Sequence, residues 1–406
     1  MLSPYRSVLS RRGAFGFVTA GLVGRFPLSM LGLGALLLVT TSGGSYAVGG
    51  ALTATIAIAT SIGAPPTGRL ADRFGQHRLL PPSLLLFGAG VAGTVVAVLH
   101  HAPTWTFFPP AIVAGLAVPQ IGSMVRARWV RLVGGTPELN TAFALESGLD
   151  EVVFVVGPVI ATVLATQVWP AGGVVTAAGL AMIGGMALAL QRSTEPPPSR
   201  HSTDAHPAAI RVPGLRVLVA TFVAVGGIFG TMDVAVVGFA QEHGHRGLAG
   251  VVLGVFALGS LIASVVYGSM HWRAPLHRRF SIAVAGLFLG TVPIMLAPSI
   301  PVLAGTALVA GLAISPSIIA GMGLVEALVP PGALTEGFSW VITAIGVGVA
   351  IGSSVSGVVV DAAGGHRALL TSVACGLVAT SVAWLFRSRL HTDVGRATPV
   401  RGTASC

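Results

Sequence analysis

Apolar and polar positions alternate along the 406-residue chain in long blocks. Mainly apolar runs fall at roughly 14–41, 46–67, 79–100, 104–126, 139–167, 170–191, 214–240, 247–270, 279–297, 300–328, 334–360 and 366–387. A helix of about 20 such residues crosses the hydrocarbon of a bilayer. The breaks between runs, such as "TTSGG", "HHAP", "GGTPE", "WPAGG", "EHGHRG", "LAPSIP", "VPPG" and "DAAGG", carry the Gly and Pro of turns. The pattern predicts an all-α membrane protein of twelve transmembrane helices. The N-terminus is basic and then apolar, as in a signal peptide. The run continues to about Thr41 without a small-residue cleavage site, so it is read as a retained first helix. One long polar stretch, "RSTEPPPSRHSTDAHPAAIRVP" at 192–213, is rich in Pro, Ser and His and reads as a linker. It lies near the midpoint. The expected organisation is an N-terminal six-helix half over 1–191, a cytoplasmic linker over 192–213, a C-terminal six-helix half over 214–388 and a cytoplasmic tail over 389–406.

Composition agrees with that picture. Charged residues make up 9% of the chain and hydrophobic residues 53%, whereas a soluble domain carries about 25% charged residues. Lipid must therefore be the main solvent. The 55 glycines suit helices that pack closely through small residues. A net charge of +10 suggests nucleic-acid binding only when the arginines share one face or domain. Here they fall in short clusters between apolar runs, as in loops on the cytoplasmic side of a membrane, so no nucleic-acid partner is expected. With both termini cytoplasmic, the clusters at Arg6, Arg11 and Arg12, at Arg69, Arg73 and Arg78, at Arg126, Arg128 and Arg131, at Arg273, Arg278 and Arg279, in the linker and in the tail all lie inside. Only Arg246 and Arg367 are left outside. The expectation is a multi-pass protein of the cell inner (plasma) membrane. Cys375 and Cys406 provide neither a disulfide framework nor metal-ligand spacing. The histidines lie mostly in loops, and no HExxH, glycine-rich phosphate loop or Gly-x-Ser-x-Gly is present. No metal, cofactor or enzymatic activity is expected. With no ATP-hydrolysing domain in the sequence, energy would come from an ion gradient or the substrate's own gradient.

The stretch "GRLADRFGQHR" at 68–78 concentrates Asp72, three arginines and His77 between the second and third runs. It has an echo in the other half. "GSMHWR" begins at Gly268, with Gly68 and Arg73 matched by Gly268 and Arg273 and Asp72 replaced by Trp272. "TAFALESGLDEVVFVVGP" from Thr141 likewise parallels "EGFSWVITAIGVGVAIGS" from Glu336. Repeated halves of this kind are a transporter pattern. The loop resembles the signature of the major facilitator superfamily, Gly-x-Leu-x-Asp-Arg-x-Gly-Arg/Lys-Arg, at Gly68, Leu70, Asp72, Arg73, Gly75 and Arg78. With twelve helices and the repeat, the resemblance covers essentially the whole chain and points to the drug:proton antiporter type. It implies a conformational latch in the outward-open state, in which Asp72 bonds to the end of helix 11 and to an arginine at the end of helix 4, Arg126 or Arg128. Arg73 and Arg78 either join that latch or merely set topology. Gly68 is expected to let helix 2 end against a neighbouring helix, and Gly75 to allow the reversal into helix 3. "GPVIA", from Gly157 to Ala161, resembles the family's antiporter motif in helix 5. Pro158 removes a backbone bond and bends the helix, and Gly157 allows close packing at the bend. Ala161 and Thr162 stand where glycines are usual. Helix 1 lacks the acid that many drug exporters carry there, and helix 4 lacks a mid-helix arginine.

Ionisable residues at membrane depth are costly and mark function by default. They are Arg25, Glu146, Asp150, Glu151, Asp233, Glu326 and Glu336. Glu146 and Asp150 lie four apart on one face of helix 5, while Glu151 points about 100° away. Two adjacent carboxylates repel, so one is expected to hold a proton near neutral pH, with Arg25 offsetting the other. Asp150 and Glu151, then Glu146, Arg25 and Asp233, are the proton-coupling candidates; a static ion-pair network is the competing reading. The resemblance places Asp233 on the central cavity. Glu326 and Glu336 flank the "VPPGAL" turn on the cytoplasmic side; Glu336, placed to stabilise a helix N-terminus as an anion, is read as structural, with Trp340 in that packing. The expected function is secondary active transport, a proton-coupled efflux of small, largely apolar molecules (a drug or secondary metabolite) by alternating access. The alternative is a proton symporter importing a sugar or other small metabolite. Gln120 and Gln167 offer little hydrogen bonding for a sugar, which favours export. A transporter-like protein that binds without transporting would be expected to lose the latch loop or the interior charges. Small-molecule substrate, protons and the lipid bilayer are the expected partners, and a monomer the expected state.

Overall fold

The computed structural model describes residues 3–134, 136, 138–197, 209–269, 274–329 and 334–391. Among these residues, twelve helices are long and apolar enough to span a membrane. Helices 1 to 6 cover Ala14–Thr41, Tyr46–Ala71, Gln76–Leu99, Thr104–Val133, Thr141–Val168 and Gly172–Leu190. Helices 7 to 12 cover Pro213–Glu242, Arg246–Tyr267, Leu276–Met295, Ile300–Leu328, Trp340–Ala363 and Gly365–Leu385. Among the described residues there is no strand. The all-α expectation holds. Apolar side chains such as Leu85, Ile183, Leu289 and Leu377 are exposed on the outer surface of the helices.

Several spans contain breaks that an apolar run does not reveal. Helix 1 is α-helical over Ala14–Gly24 and again over Pro27–Thr41. Pro27, at the first turn of the second piece, has no N–H to continue the first. Helix 4 stops at Ala117 and resumes at Ile121, on either side of Val118, Pro119 and Gln120. Helix 10 is divided into Ile300–Gly311 and Ile314–Leu328. Helix 5 stays α-helical from Glu138 to Val163, through Gly157 and Pro158, and closes with a π turn at Leu164–Val168.

The expected loop between helices 2 and 3 is corrected. Helix 2 continues to Phe74 and helix 3 begins at Gln76, so Gly75 alone separates them. Nothing in "GRLADRF" breaks a helix, and polar side chains leaving the bilayer do not require the backbone to unwind. Gly75 has φ +91°, a conformation that only glycine adopts without strain. The role expected for Gly68 is not found in this state, since a Cβ added there meets nothing within 4 Å. The start of the 192–213 stretch is also more ordered than a bare linker, with Thr194 and Glu195 buried. Gly268, Trp272 and Arg273 of the repeated motif lie outside the residues described in full.

The face where helix 1 begins and helix 12 ends is called here the terminal face, and the other the distal face. Helices of the two halves meet as helix 2 on helix 11 and helix 5 on helix 8. Toward the distal face these contacts are backbone-close. A Cβ on Gly250 of helix 8 would fall 2.3 Å from the Pro158 carbonyl and 2.5 Å from Thr162 Oγ1. A Cβ on Gly50 of helix 2 would fall 2.4 Å from the Ser353 carbonyl. Hydrogen bonds close the same face. The Asp361 carboxylate accepts from the backbone N–H groups of Tyr46 (2.9 Å) and Ala47 (2.6 Å), capping helix 2 from the other half. Tyr46 donates its hydroxyl to Gln241 (2.7 Å). Gly250→Val should therefore force this face open. Overpacking costs about 1–3 kcal/mol, a roughly five- to hundredfold shift in population. Maleimide labelling of a Ser353→Cys variant, buried in the native state, should rise accordingly; unchanged labelling would show that Gly250 does not set the closure.

Candidate functional site

The break in helix 1 brings Arg25 into the N-terminal half as a buried cation. Its Nη1 donates to Asp150 Oδ1 at 2.9 Å and its Nη2 to Glu146. Trp129 Nε1 donates to Glu146 Oε1 at 2.8 Å. Arg126 Nη2 completes the group by donating to Asp150 Oδ2 at 2.7 Å. Two guanidinium groups thus face two carboxylates and the formal charges cancel. The side chains of Arg25 and Glu146 are fully buried and that of Asp150 is 24% exposed. The pair expected to repel across one helical turn is bridged by a shared cation. An assembly of this kind is expensive to break, because removing one member leaves an uncompensated buried charge.

Glu151 is arranged differently. One residue on, it turns away from this network, and its Oε1 accepts from Ser260 Oγ (3.3 Å) and Ser315 Oγ (3.1 Å). The two hydroxyls are 2.7 Å apart. Ser260 is on helix 8 and Ser315 on helix 10, so these bonds join the halves near the middle of the spans. Among the described residues Glu151 forms no ion pair. Asp233, on helix 7, is half-buried and has neither a hydrogen bond nor an ion pair among the described residues. One turn earlier, Phe229 meets Phe256 of helix 8 edge-on, with centroids 6.5 Å apart. Gln120 donates to the Val118 carbonyl at 3.2 Å, and Gln167 is exposed at the distal face.

The residues assigned to the latch are spread over several tasks. Arg73 and Arg78 are exposed, with the Arg73 guanidinium 5.2 Å from the Phe74 ring centroid. The side chain of Asp72 lies outside the described residues. Arg126 belongs to the intramembrane network. Arg128 is buried and engaged elsewhere. Its Nε donates to Gln76 Oε1 (2.8 Å), its Nη1 to the Gln191 carbonyl (2.6 Å) and Thr194 Oγ1 (3.0 Å), and its Nη2 to the Leu188 carbonyl (2.8 Å). It thereby satisfies the open carbonyls at the end of helix 6 and ties them to the start of helix 3. Gly157 packs on helix 1, where a Cβ would fall 2.0 Å from Ser29 Oγ, which donates to the Val153 carbonyl at 2.8 Å. Glu326 is exposed, and the Glu336 side chain lies outside the described residues. Among the described residues no group of three His, Cys, Asp or Glu comes together as metal ligands.

Glu195 was not singled out by the sequence. It accepts from the His77 backbone N–H at 3.0 Å and lies 2.9 Å from His77 Nδ1, capping the start of helix 3. Burial pushes its carboxyl up, but the bonds to the His77 ring and backbone outweigh that and hold it below the ordinary glutamate value. A depressed carboxyl stabilises the fold above its unfolded value, about 4.3, and loses that contribution as pH falls through the folded value. Relative to the intrinsic base-catalysed rate at each pH, the His77 amide should be protected from hydrogen exchange at neutral pH and lose that protection in acid. Glu195→Gln should be less protected throughout; a native protection factor that does not change with pH would contradict the cap.

Among the described residues, twelve helices able to span a membrane, buried charges within them and hydrogen bonds joining two halves across the middle fit a membrane transporter. The family model for the Major Facilitator Superfamily matches residues 14–304 and, in a second match, 217–404, and the chain belongs to that family. No curated protein sequence matches it. Its fold is shared with solved transporters. The nucleoside transporter NupG is 14% identical with a TM-score of 0.71, covering 93% of this chain and 98% of its own. A bacterial homologue of the iron transporter ferroportin, in an inward-facing state, is 14% identical with a TM-score of 0.69, covering 93% and 99%. The human organic anion transporter MFSD10 (TETRAN) is 16% identical with a TM-score of 0.62, also covering 93% and 99%.

Proposed function

We propose that the protein couples the export of small, largely apolar molecules to proton entry, and that Glu151 carries the proton. The observation that supports this most is the contrast within helix 5. Glu146 and Asp150 are neutralised by Arg25 and Arg126, whereas Glu151 is held, among the described residues, by two serine hydroxyls of the other half. A carboxylate near the centre of a membrane without a cation is costly. Taking up a proton removes that cost and alters the bonds joining helix 5 to helices 8 and 10. A proton on Glu151 and the movement of the halves are thereby linked. Asp233, without a partner among the described residues, is a second acid able to meet a proton or a cationic group of the substrate. In this reading the halves 1–191 and 214–388 rock about the midplane, and the 192–213 linker and 389–406 tail are cytoplasmic. Asp72, with Gly68, Arg73, Gly75 and Arg78, latches the terminal face in the opposite state. The protein sits in the plasma membrane as a monomer with its terminal face inward.

The test is an imposed pH gradient across proteoliposomes, screened with cationic drugs, antibiotics and sugars. Antiport accumulates a drug in an acid lumen and fails when the gradient is reversed. Accumulation of a sugar in an alkaline lumen would replace export with symport.

A further inference from the structure

A second charged site lies at the distal face, away from helix 5's acids. Arg246 opens helix 8 and reaches between the halves. Its Nη1 donates to the Thr40 carbonyl at 3.3 Å, and its guanidinium stands 5.8 Å from the Tyr46 ring centroid. Nε and Nη2, the other edge of the fork, are buried and have no hydrogen-bond partner among the described residues. The nearby acids are engaged. Asp361 caps helix 2, and Glu242 accepts from the backbone N–H groups of Gly365 (2.6 Å) and His366 (3.2 Å). Beside Arg246 is a cavity of about 610 Å³, lined by Thr41, Thr166, Gln167, His245 and Leu248 among others. Guanidinium N–H groups buried without an acceptor are costly. Its Nε and Nη2 edge matches two oxygens of a carboxylate or phosphoryl group, and the cavity has the size of a small-molecule site.

We propose that this cavity is an anion-binding site in which Arg246 grips a carboxylate or phosphoryl group through Nε and Nη2, and that the bound anion holds the distal face shut. The lining joins helices 1 and 5 of one half to helix 8 of the other, so an anion seated there bridges them. The anion is either a small solute or the headgroup of an anionic lipid.

The test uses the full-length protein in neutral detergent. Thermal unfolding is followed with sodium acetate or sodium phosphate against sodium chloride at equal ionic strength. The native midpoint should rise by several degrees at saturation, with no rise for Arg246→Gln. Arg246→Lys, which keeps the charge but loses the fork, should bind roughly tenfold more weakly, and it carries the comparison if Arg246→Gln does not fold. A parallel arm compares nanodiscs of phosphatidylglycerol with nanodiscs of phosphatidylcholine. A response to phosphatidylglycerol alone, lost in Arg246→Gln, assigns the site to a lipid headgroup. The bound anion should also slow maleimide labelling of Ser353→Cys in a background without Cys375 and Cys406. No response of the native protein in either arm, or an equal response in Arg246→Gln, overturns the site. Binding with unchanged labelling overturns its hold on the distal face.

Discussion

Glu151→Gln is expected to make substrate binding independent of pH and to remove proton movement during transport, while exchange of substrate down its own gradient continues. Glutamine keeps the shape and still accepts from Ser260 and Ser315, so the helix 5 contact with the other half survives. What disappears is the ability to alternate between charged and neutral forms. Coupling between two ligands is typically worth about 1–3 kcal/mol, a roughly five- to hundredfold change in affinity. Native protein should show a pH dependence of that size in substrate affinity, and Glu151→Gln should show none. A variant that still moves protons would transfer the role to another acid, with Asp233 the next to test. Asp150→Asn is expected to differ, lowering stability by disturbing an ion-pair network while leaving the pH dependence in place.

The second large effect is on folding. Arg25→Met should cost about 3–5 kcal/mol, the usual consequence of stranding a buried charge, because Glu146 is left fully buried and Asp150 keeps only Arg126. The yield of monodisperse protein and its melting temperature should both fall sharply. Adding Glu146→Gln removes the stranded charge and should recover most of the loss. If Arg25→Met were as stable as the native protein, the network would contribute nothing to holding helices 1, 4 and 5 together. If the double variant were no better than the single one, the loss would come from packing around Arg25 instead of from charge.

The helices were legible because spanning segments must be long and apolar, and that requirement is written in consecutive residues. Gly75 was legible for a similar reason, since its turn needs a conformation that glycine supplies. The breaks at Arg25 and at Pro119 were hidden even though both prolines were in view. The surrounding residues remain apolar on either side, so a single run spans two helical pieces. Motif spacing also misled at residues 68–74, where a polar sequence continues as helix. The acids of helix 5 were visible, but their partners were not. Ranking Glu151 apart from Asp150 requires Ser260 and Ser315, more than a hundred positions away, and Arg25 at its helix break. Arg128 read equally well as a topology signal and as a latch, because the carbonyls of Leu188 and Gln191 carry no trace of their partner in the sequence. Glu195 lay in a Pro- and Ser-rich stretch, where nothing local marks it as the cap of a helix beginning at Gln76.

The most direct test of the central claim is substrate-induced proton movement in proteoliposomes carrying an internal pH dye, with the native protein alone. A panel of drugs and antibiotics first identifies a transported compound. The account predicts that adding this compound on one side drives protons out of the other, in step with its flux and at a fixed ratio. Saturable flux of the compound with no change in internal pH would contradict it, leaving a transporter that runs on the substrate gradient and an acid at position 151 with a purely structural role.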